Sequence, residues 1–551
     1  MKKRIRNIFA LTLALLMILT LFAGCGNNAA TNSEAPSAAP PAAPSSNAPS
    51  QAPSAAPSNA PLPLPAPAPE NVEFVDHLVL VGGERFPEIN AANPAAVTQG
   101  CIWIFKMIYD TLFFDLPDGS TVPGLATSWE SSDYKTYTLK LRDDVFFHNG
   151  EKFKADDVAF SIDRGKNSPG SSINDRFSMV ESYNVVSDTE IVITLDKVNI
   201  DFIYSLCWPS MGIVNRKAVE SDPELGTWIG TGKYKVDDFS SNDYTDFSRN
   251  ENYWGDVPVT PFITFRTVAE ETARMIMLEN GEANIVISTH PMYIDSIDAN
   301  PDLDYKTHTL INIMLLFFNT LNPFTSDYNF RMACQYAMDR DEAALFSRSG
   351  FATIPENPIV WGYTTEFRNE SLPRVDKDIE KAKEYLAKTN YAGEPIWILT
   401  ANPFSAICAQ VFQANLAEIG INLEINASDT AGLAASGMYG NTEMDIIISG
   451  SEWTALASSA RPTFYPGMSM NRGSYDNPEI GRLFDEAAST IDRNAREQLY
   501  FKIQELADAD GAYYNIYHMD QIYGITKGLD GMYLSPNTAL NDFGGMYLVK
   551  Q

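Results

Sequence analysis

Residues 27–70 are almost entirely Ala, Pro, Ser and Asn, with Glu34 the only internal charge. So few large apolar side chains cannot offset the entropy of ordering a chain. The segment is therefore predicted to be a disordered, polyproline-leaning tether, and any fold is confined to residue 71 onward. At ~3.1 Å per residue such a tether reaches somewhat over ~100 Å, a length suited to a thick cell wall above a membrane. Upstream stand Lys2, Lys3, Arg4 and Arg6, an apolar run over residues 8–22, and then Ala23, Gly24 and Cys25. That run has the length of a secretory h-region and is short for a membrane span. The small Ala23-Gly24 pair suits a signal peptidase pocket, which predicts residues 1–24 to be a signal peptide and residues 25–70 the tether.

The whole chain has 551 residues, enough for about three domain-sized units or two large lobes. Removing residues 1–24 takes away four basic groups and leaves 36 Lys and Arg against 70 Asp and Glu, a net −34. A surface this acidic repels nucleic acid, so no nucleic-acid partner is expected. Cys101, Cys207, Cys334 and Cys408 lie far apart without a CxxC pair. Four cysteines allow three pairings and the sequence does not choose among them. The helix-like apolar surroundings of Cys334 and Cys408 predict buried free thiols.

Beyond the tether two grammars follow one another. Tyr137, Leu139 and Leu141 alternate with Thr138, Lys140 and Arg142, the pattern of a half-buried strand, and Asn149-Gly150 offers a hairpin turn. EIVITL repeats the alternation through Ile191, Ile193 and Leu195, and Ala155-Asp156-Asp157 opens a short helix. Further on, Asp376 is predicted to cap a helix carrying Ile379, Ala382 and Leu386, with Glu384 and Lys388 as an i,i+4 pair. A helix over 404–418 stops at Gly420, INLEIN follows as a strand, and MDIIIS reads as a fully buried strand. Helices over 477–490 and 494–509 complete an alternation of helix and strand, which is α/β grammar.

Catalytic signatures are absent. None of the five histidines, His77, His148, His290, His308 and His518, makes HExxH or another close metal-ligand pair. No GxSxG elbow occurs, and GTGKYK at 230–235 fails as a phosphate loop because Tyr234 replaces the required Ser or Thr. Neither an enzyme nor a resident cofactor is expected.

Several stretches carry a resemblance. Residues 123–164, PGLATSWESSDYKTYTLKLRDDVFFHNGEKFKADDVAFSIDR, are similar almost throughout to the most diagnostic block of the family 5 extracellular solute-binding proteins, the peptide and nickel binders of ABC importers. GTGKYKVDDF, RNENYWGD, ITFRTVAEETARMIMLENGEANI and FFNTLNPFTSDYNFRMACQYAMDRD follow in the family's order, with VWGY after them. Residues 21–25 also resemble the lipobox of bacterial lipoproteins, with Phe22 where leucine is usual, which implies that Cys25 is lipidated and anchors the chain to the outer face of the cell membrane.

The resemblance implies an α/β, two-lobed periplasmic-binding-protein-like fold of class II, cluster C type, with an inserted domain and a hinge. By block order, lobe one would hold residues 71–112, 213–305 and 515–551, with residues 113–212 inserted, and lobe two residues 306–514. A ligand touching both lobes would favour the closed state, the one delivered to the permease. The implied partners are a small-molecule or oligopeptide ligand and the ABC permease subunits with their ATPase. The membrane would be reached through lipid only, and the chain would act as a monomer. A chemosensory receptor on the same fold is the alternative, and a cell-wall enzyme a more distant one.

The implied cleft residues are Thr98 and Gln99 before the first helix, Ser288, Thr289 and His290 after ANIVI, Phe317, Glu452, Trp453 and Thr454 after MDIIIS, and Tyr517 at the return crossing. A solvent-facing loop serves equally for Thr98 and Gln99, a structural histidine for His290, core packing for Phe317 and hinge packing for Tyr517. Peptide binders of the family carry Trp-x-x-Asp, whose aspartate pairs with the ligand amine. Here Trp453 matches but Leu456 stands at the acid's place, and the loop 399–405 lacks the arginine that meets a dipeptide's carboxylate. Glu452 and Arg461 are the substitutes nearest to hand. A free dipeptide would lose two charge-assisted contacts of about 1.5–3 kcal/mol each, so simple di- and tripeptides are expected to bind poorly.

Overall fold

A single long sheet organises the molecule. In the computed structural model, which describes residues 72–83, 102–116, 120–168, 173–240, 243–355, 361, 365–428, 430–451, 454–468, 470–537 and 541–549, eleven strands share this sheet. Across it run Asn422–Ala427, Pro395–Thr400, Ile446–Ser451, Leu303–Phe318, Tyr513–Thr526, Ile285–Ile287, His77–Gly82, Phe262–Thr267, Tyr244–Arg249 and Tyr234–Ser240, with Ala352–Thr353 attached to Tyr513–Thr526. The predicted residues 1–70, with Cys25, and also Thr98, Gln99, Cys101, Glu452 and Trp453 lie outside the described residues. Among the described residues no helix is long and apolar enough to cross a membrane.

Two antiparallel strands, Leu303–Phe318 and Tyr513–Thr526, belong to both lobes. Leu303 to Thr309 pair with Thr526 to Asp520, next to the lobe-one strand Ile285–Ile287. Ile313 to Phe317 pair with His518 to Tyr513, next to the lobe-two strand Ile446–Ser451. The register shifts between Thr309 and Ile313, opposite Met519, and again between Met314 and Leu315. The boundaries expected at 305/306 and 514/515 therefore fall inside continuous strands. A register break loosens the ladder locally and allows a bend where regular pairing would resist it. On the lobe-two half, Ile313, Leu315 and Phe317 enter one core and Met314, Leu316 and Phe318 the other, which is why the run is apolar without alternation.

The inserted region forms its own four-stranded sheet, ordered Ala126–Glu130, Thr136–Leu141, Glu190–Leu195, Val180–Ser187. Tyr137, Leu139, Leu141, Ile191, Ile193 and Leu195 all point into the core, as their alternation requires, and Gly150 takes a positive φ of 84° at the turn. That core is continuous with the core of lobe one through Leu78, Phe105 and Ile285, so the insertion does not stand apart from its lobe.

In lobe two the helices Pro403–Ala417, Pro478–Ser489 and Arg493–Asp510 match their expected places. One cap does not. Asp378, not Asp376, caps Ile379–Leu386 by accepting the Lys381 N–H at 3.0 Å, while Asp376 pairs with Arg374. Lys388 lies past the helix end with its ammonium 4.6 Å from the Tyr385 ring, and the helix's ion pair is Glu380–Lys383 at 3.0 Å. Cys207, Cys334 and Cys408 are buried free thiols.

GTGKYK turns out to serve packing. A side chain at Gly230 would meet the Ile108 carbonyl at 2.0 Å, and one at Gly232 the Met107 carbonyl at 2.5 Å, so both glycines let the backbone lie against the helix Ile102–Ile108. Lys233 pairs with Asp542 at 2.5 Å.

Candidate functional site

The lobes meet where the strand Ile285–Ile287 ends. Ser288 leaves it with a positive φ of 59°, unusual for a residue with a side chain, and its hydroxyl accepts from Gln521 Nε2 at 3.0 Å. Thr289 is buried, donating to the Val286 carbonyl at 3.1 Å and accepting the Gly524 N–H at 3.0 Å. These bonds tie the turn to the crossing strand and present His290 to the other lobe. The His290 N–H donates to Glu271 Oε1 at 2.5 Å, and its Nδ1 accepts the Met292 N–H at 3.1 Å. Its imidazole stacks on Phe404 of lobe two, with ring centroids 4.9 Å apart and planes 11° apart. Burial, helped by Arg348 and opposed by Glu271, holds His290 below its ordinary pKa.

A second interlobe contact lies on the inserted region. Tyr204 comes close to the side chain of Thr454, and Asp201 to that of Ser458. Thr454 is itself held in place, since its carbonyl accepts from Thr365 Oγ1 at 2.7 Å and its N–H donates to Ser459 Oγ at 3.0 Å. Tyr204 also donates to Asp115 at 3.4 Å.

Behind Tyr204 sits a group of charges that the sequence did not point to. Asp110 accepts from Trp254 Nε1 at 2.7 Å, Tyr253 Oη at 2.9 Å and Thr231 Oγ1 at 3.0 Å. Burial outweighs these donors and pushes its pKa up to about 6, and burial does the same to Asp115 against the pull of Lys106. Burial also lowers the pKa of Lys106. Asp542 resists burial because Lys233, the Gly544 N–H and Lys106 together bring it down to about 2. A lone lysine inside IWIFKMI was the only sequence signal for this group.

The other expected contacts are placed differently. Phe317 is fully buried, edge-on to Tyr513 at 5.6 Å, and Tyr517 is fully buried with its hydroxyl accepting from Ser347 Oγ at 3.2 Å. Both are core residues, because the strands that carry them are covered on both faces. Arg461 is engaged with Asp485 at 2.7 Å and lies over Tyr465. Thus Ser288, Thr289 and His290 come together at one interlobe contact and Thr454 at the other, while Phe317 and Tyr517 join neither. Among the described residues no group of His, Cys, Asp and Glu is arranged to hold a metal ion.

His518 lies at the register break and is fully buried. Burial, with Arg368 adding to it, lowers its pKa to about 3. The neutral form is thus the folded one: its contribution is complete above the unfolded value of about 6.5 and is lost as pH falls toward the folded one. At pH 5 this costs the fold about 2 kcal/mol. His518→Gln is expected to shrink the stability loss between pH 8 and pH 5 by about that amount, as read from urea denaturation at the two pH values.

The comparisons with known proteins agree with this architecture. Residues 120–475 match the profile of the bacterial extracellular solute-binding proteins, family 5 middle region. The nickel-binding periplasmic protein of Escherichia coli is 26% identical over 443 residues, covering 75% of this chain and 84% of that protein. The glutathione-binding protein GsiB of Pectobacterium atrosepticum is 26% identical over 455 residues, covering 79% and 87%. Among solved structures, the ABC transporter substrate-binding protein CtaP of Listeria monocytogenes superposes with a TM-score of 0.77 at 23% identity, over 87% of this chain and all of that one. The Helicobacter pylori periplasmic binding protein DppA, in complex with the peptide STSA, gives 0.73 at 24% identity, over 87% and 99%. With the profile covering well over half of the sequence and the crossing strands joining two lobes, the chain belongs to the family 5 bacterial extracellular solute-binding proteins.

Proposed function

We propose that the chain is a lipid-anchored extracytoplasmic receptor that captures a peptide or peptide-sized polar solute between its lobes and delivers it to an ABC permease. The pair of crossing strands carries this reading, since its ladder is interrupted between Thr309 and Ile313 and again between Met314 and Leu315, and such breaks let two lobes bend against each other. The ligands for which the relatives are named, nickel, glutathione and peptides, are those proteins' own. Leu456 and the arginine-free loop at 399–405 turn this chain toward a blocked peptide or another polar solute and away from a free dipeptide. The cleft is assigned to Thr98, Gln99, Ser288, Thr289, His290, Glu452, Trp453 and Thr454.

Trp453 is the anchor in this reading. Trp453→Ala should weaken the true ligand by about 1–3 kcal/mol, as truncation of other buried aromatic anchors does. A thermal-shift screen of the lipid-free protein against peptides, sugars, opines and metal chelates finds the ligand. At 100 times its dissociation constant, a ligand adds about 2.7 kcal/mol of stability. Titration calorimetry then measures the Trp453 effect. Sub-micromolar binding of an unmodified dipeptide through its α-amine would overturn the ligand assignment, and no solute raising the melting temperature would overturn the receptor reading.

A further inference from the structure

We propose that His290 of lobe one and Phe404 with Arg348 of lobe two form a clasp that favours closure without any ligand, an inference resting on the receptor reading above. The geometry is specific. The Phe404 ring carries the His290 imidazole, centroids 4.9 Å apart and nearly parallel, and also the Arg348 guanidinium, whose Cζ is 4.3 Å from the ring centre. Phe404 sits in the first turn of the helix Pro403–Ala417, which Asn402 caps through the Ser405 N–H at 2.9 Å. Neither half of the clasp is a loose surface side chain.

Both halves are anchored to the same crossing strand. Arg348 donates to the Asp520 carbonyl, and to the Phe351 carbonyl at 3.4 Å. Ser288 and Thr289 bond to Gln521 and Gly524 of that strand. Asp520 pairs with Thr309, the last pair before the register shift. The clasp therefore lies beside the first register shift, and rotation of one lobe against the other acts directly on the ring contact. The left-handed backbone at Ser288 is an uncommon conformation held by its surroundings, and it aims His290 across the gap.

Such a contact acts on affinity through population. A receptor that is closed for part of the time pays less of its binding free energy for closure, so the clasp sets the apparent affinity for any ligand. It is also sensitive to protons. The charged groups acting on His290 are Glu271 from the helix Glu271–Glu279, which favours the imidazolium, and Arg348, which with burial disfavours it. Asp520, Tyr517 and Cys408 face Arg348 in turn. With burial and Arg348 prevailing, neutral His290 is the closed form. Closure is then fully supported above the open-state value of about 6.5 and weakens as pH falls below it.

The test is single-molecule energy transfer on the ligand-free chain, with dyes on unnatural amino acids at the exposed positions Glu279 and Glu384, one on each lobe. Wild type at pH 8 is expected to show a closed population, and Phe404→Ala to lower the closed-to-open ratio about 3- to 10-fold, the scale of one aromatic pair. Lowering the pH to 5 should reduce the ratio in wild type but not in His290→Phe, which keeps a ring for the stack and cannot take a proton. The His290 variant also covers the case in which Phe404→Ala perturbs folding. An unchanged ratio in Phe404→Ala, a wild-type pH response in His290→Phe, or no closed population in ligand-free wild type each overturns the clasp. A solute that still closes both variants leaves the receptor reading intact, and a clasp that behaves as expected while no solute closes wild type leaves only the receptor reading overturned.

Discussion

Replacing Lys233 by methionine is expected to destabilise the protein by about 3–5 kcal/mol at pH 7, the cost of breaking a buried ion pair from one side. The pair with Asp542 measures 2.5 Å, with the two side chains 21% and 20% exposed. Burial works against the charge on each, but their mutual attraction prevails, raising the pKa of Lys233 and bringing Asp542 down to about 2. Both are therefore charged throughout the neutral range, and the stability that Asp542 contributes is lost only as pH falls below about 4 toward 2. Without Lys233 the carboxylate stays enclosed, with Lys106 the other cation acting on it, and burial already disfavours the charge on Lys106. Adding Asp542→Asn should recover much of the loss, because the uncompensated charge goes with it. Thermal and urea melts of the two variants measure this, and a single variant as stable as wild type would mean that the pair contributes nothing.

Replacing Cys25 by serine is expected to move the protein from the membrane fraction into the medium or periplasm. The expectation rests on the charged start, the apolar run and Ala-Gly-Cys. Each acyl methylene buried in a bilayer contributes about 0.8 kcal/mol, and one chain alone holds only marginally, so a stable anchor implies more than one chain on this cysteine. Residues 27–70 offer almost no apolar side chains to replace that hold. Fractionation after a salt wash decides the matter: a variant that still pellets with membranes has a different anchor.

Much of the fold was legible because it is local. Period-two alternation picked out Thr136–Leu141 and Glu190–Leu195, and the apolar run at 444–449 picked out Ile446–Ser451. The helix expected over 477–490 is Pro478–Ser489, within a residue at each end. The misplaced cap at Asp376 has a local cause too, since two aspartates two residues apart both suit the role and Arg374 claims the first. The site was less legible. Phe317 and Tyr517 resemble cleft residues by position, yet both strands are covered on two faces, and coverage depends on helices distant in sequence.

What the sequence determined by itself was the order of elements, their faces and the family, because each is written in spacing and side-chain type along short stretches. Only the tertiary structure decided where the long crossing ladder is interrupted, since the shifts between Thr309 and Ile313 and between Met314 and Leu315 exist only in the pairing with residues 513–526. It likewise decided the partners of its charges and rings. Asp542 meets Lys233, and His290 meets Phe404, across sequence separations that no periodicity spans. Burial then set the pKa of Asp110, Asp115 and His518, because desolvation is a property of everything packed around a group and not of its neighbours in the chain.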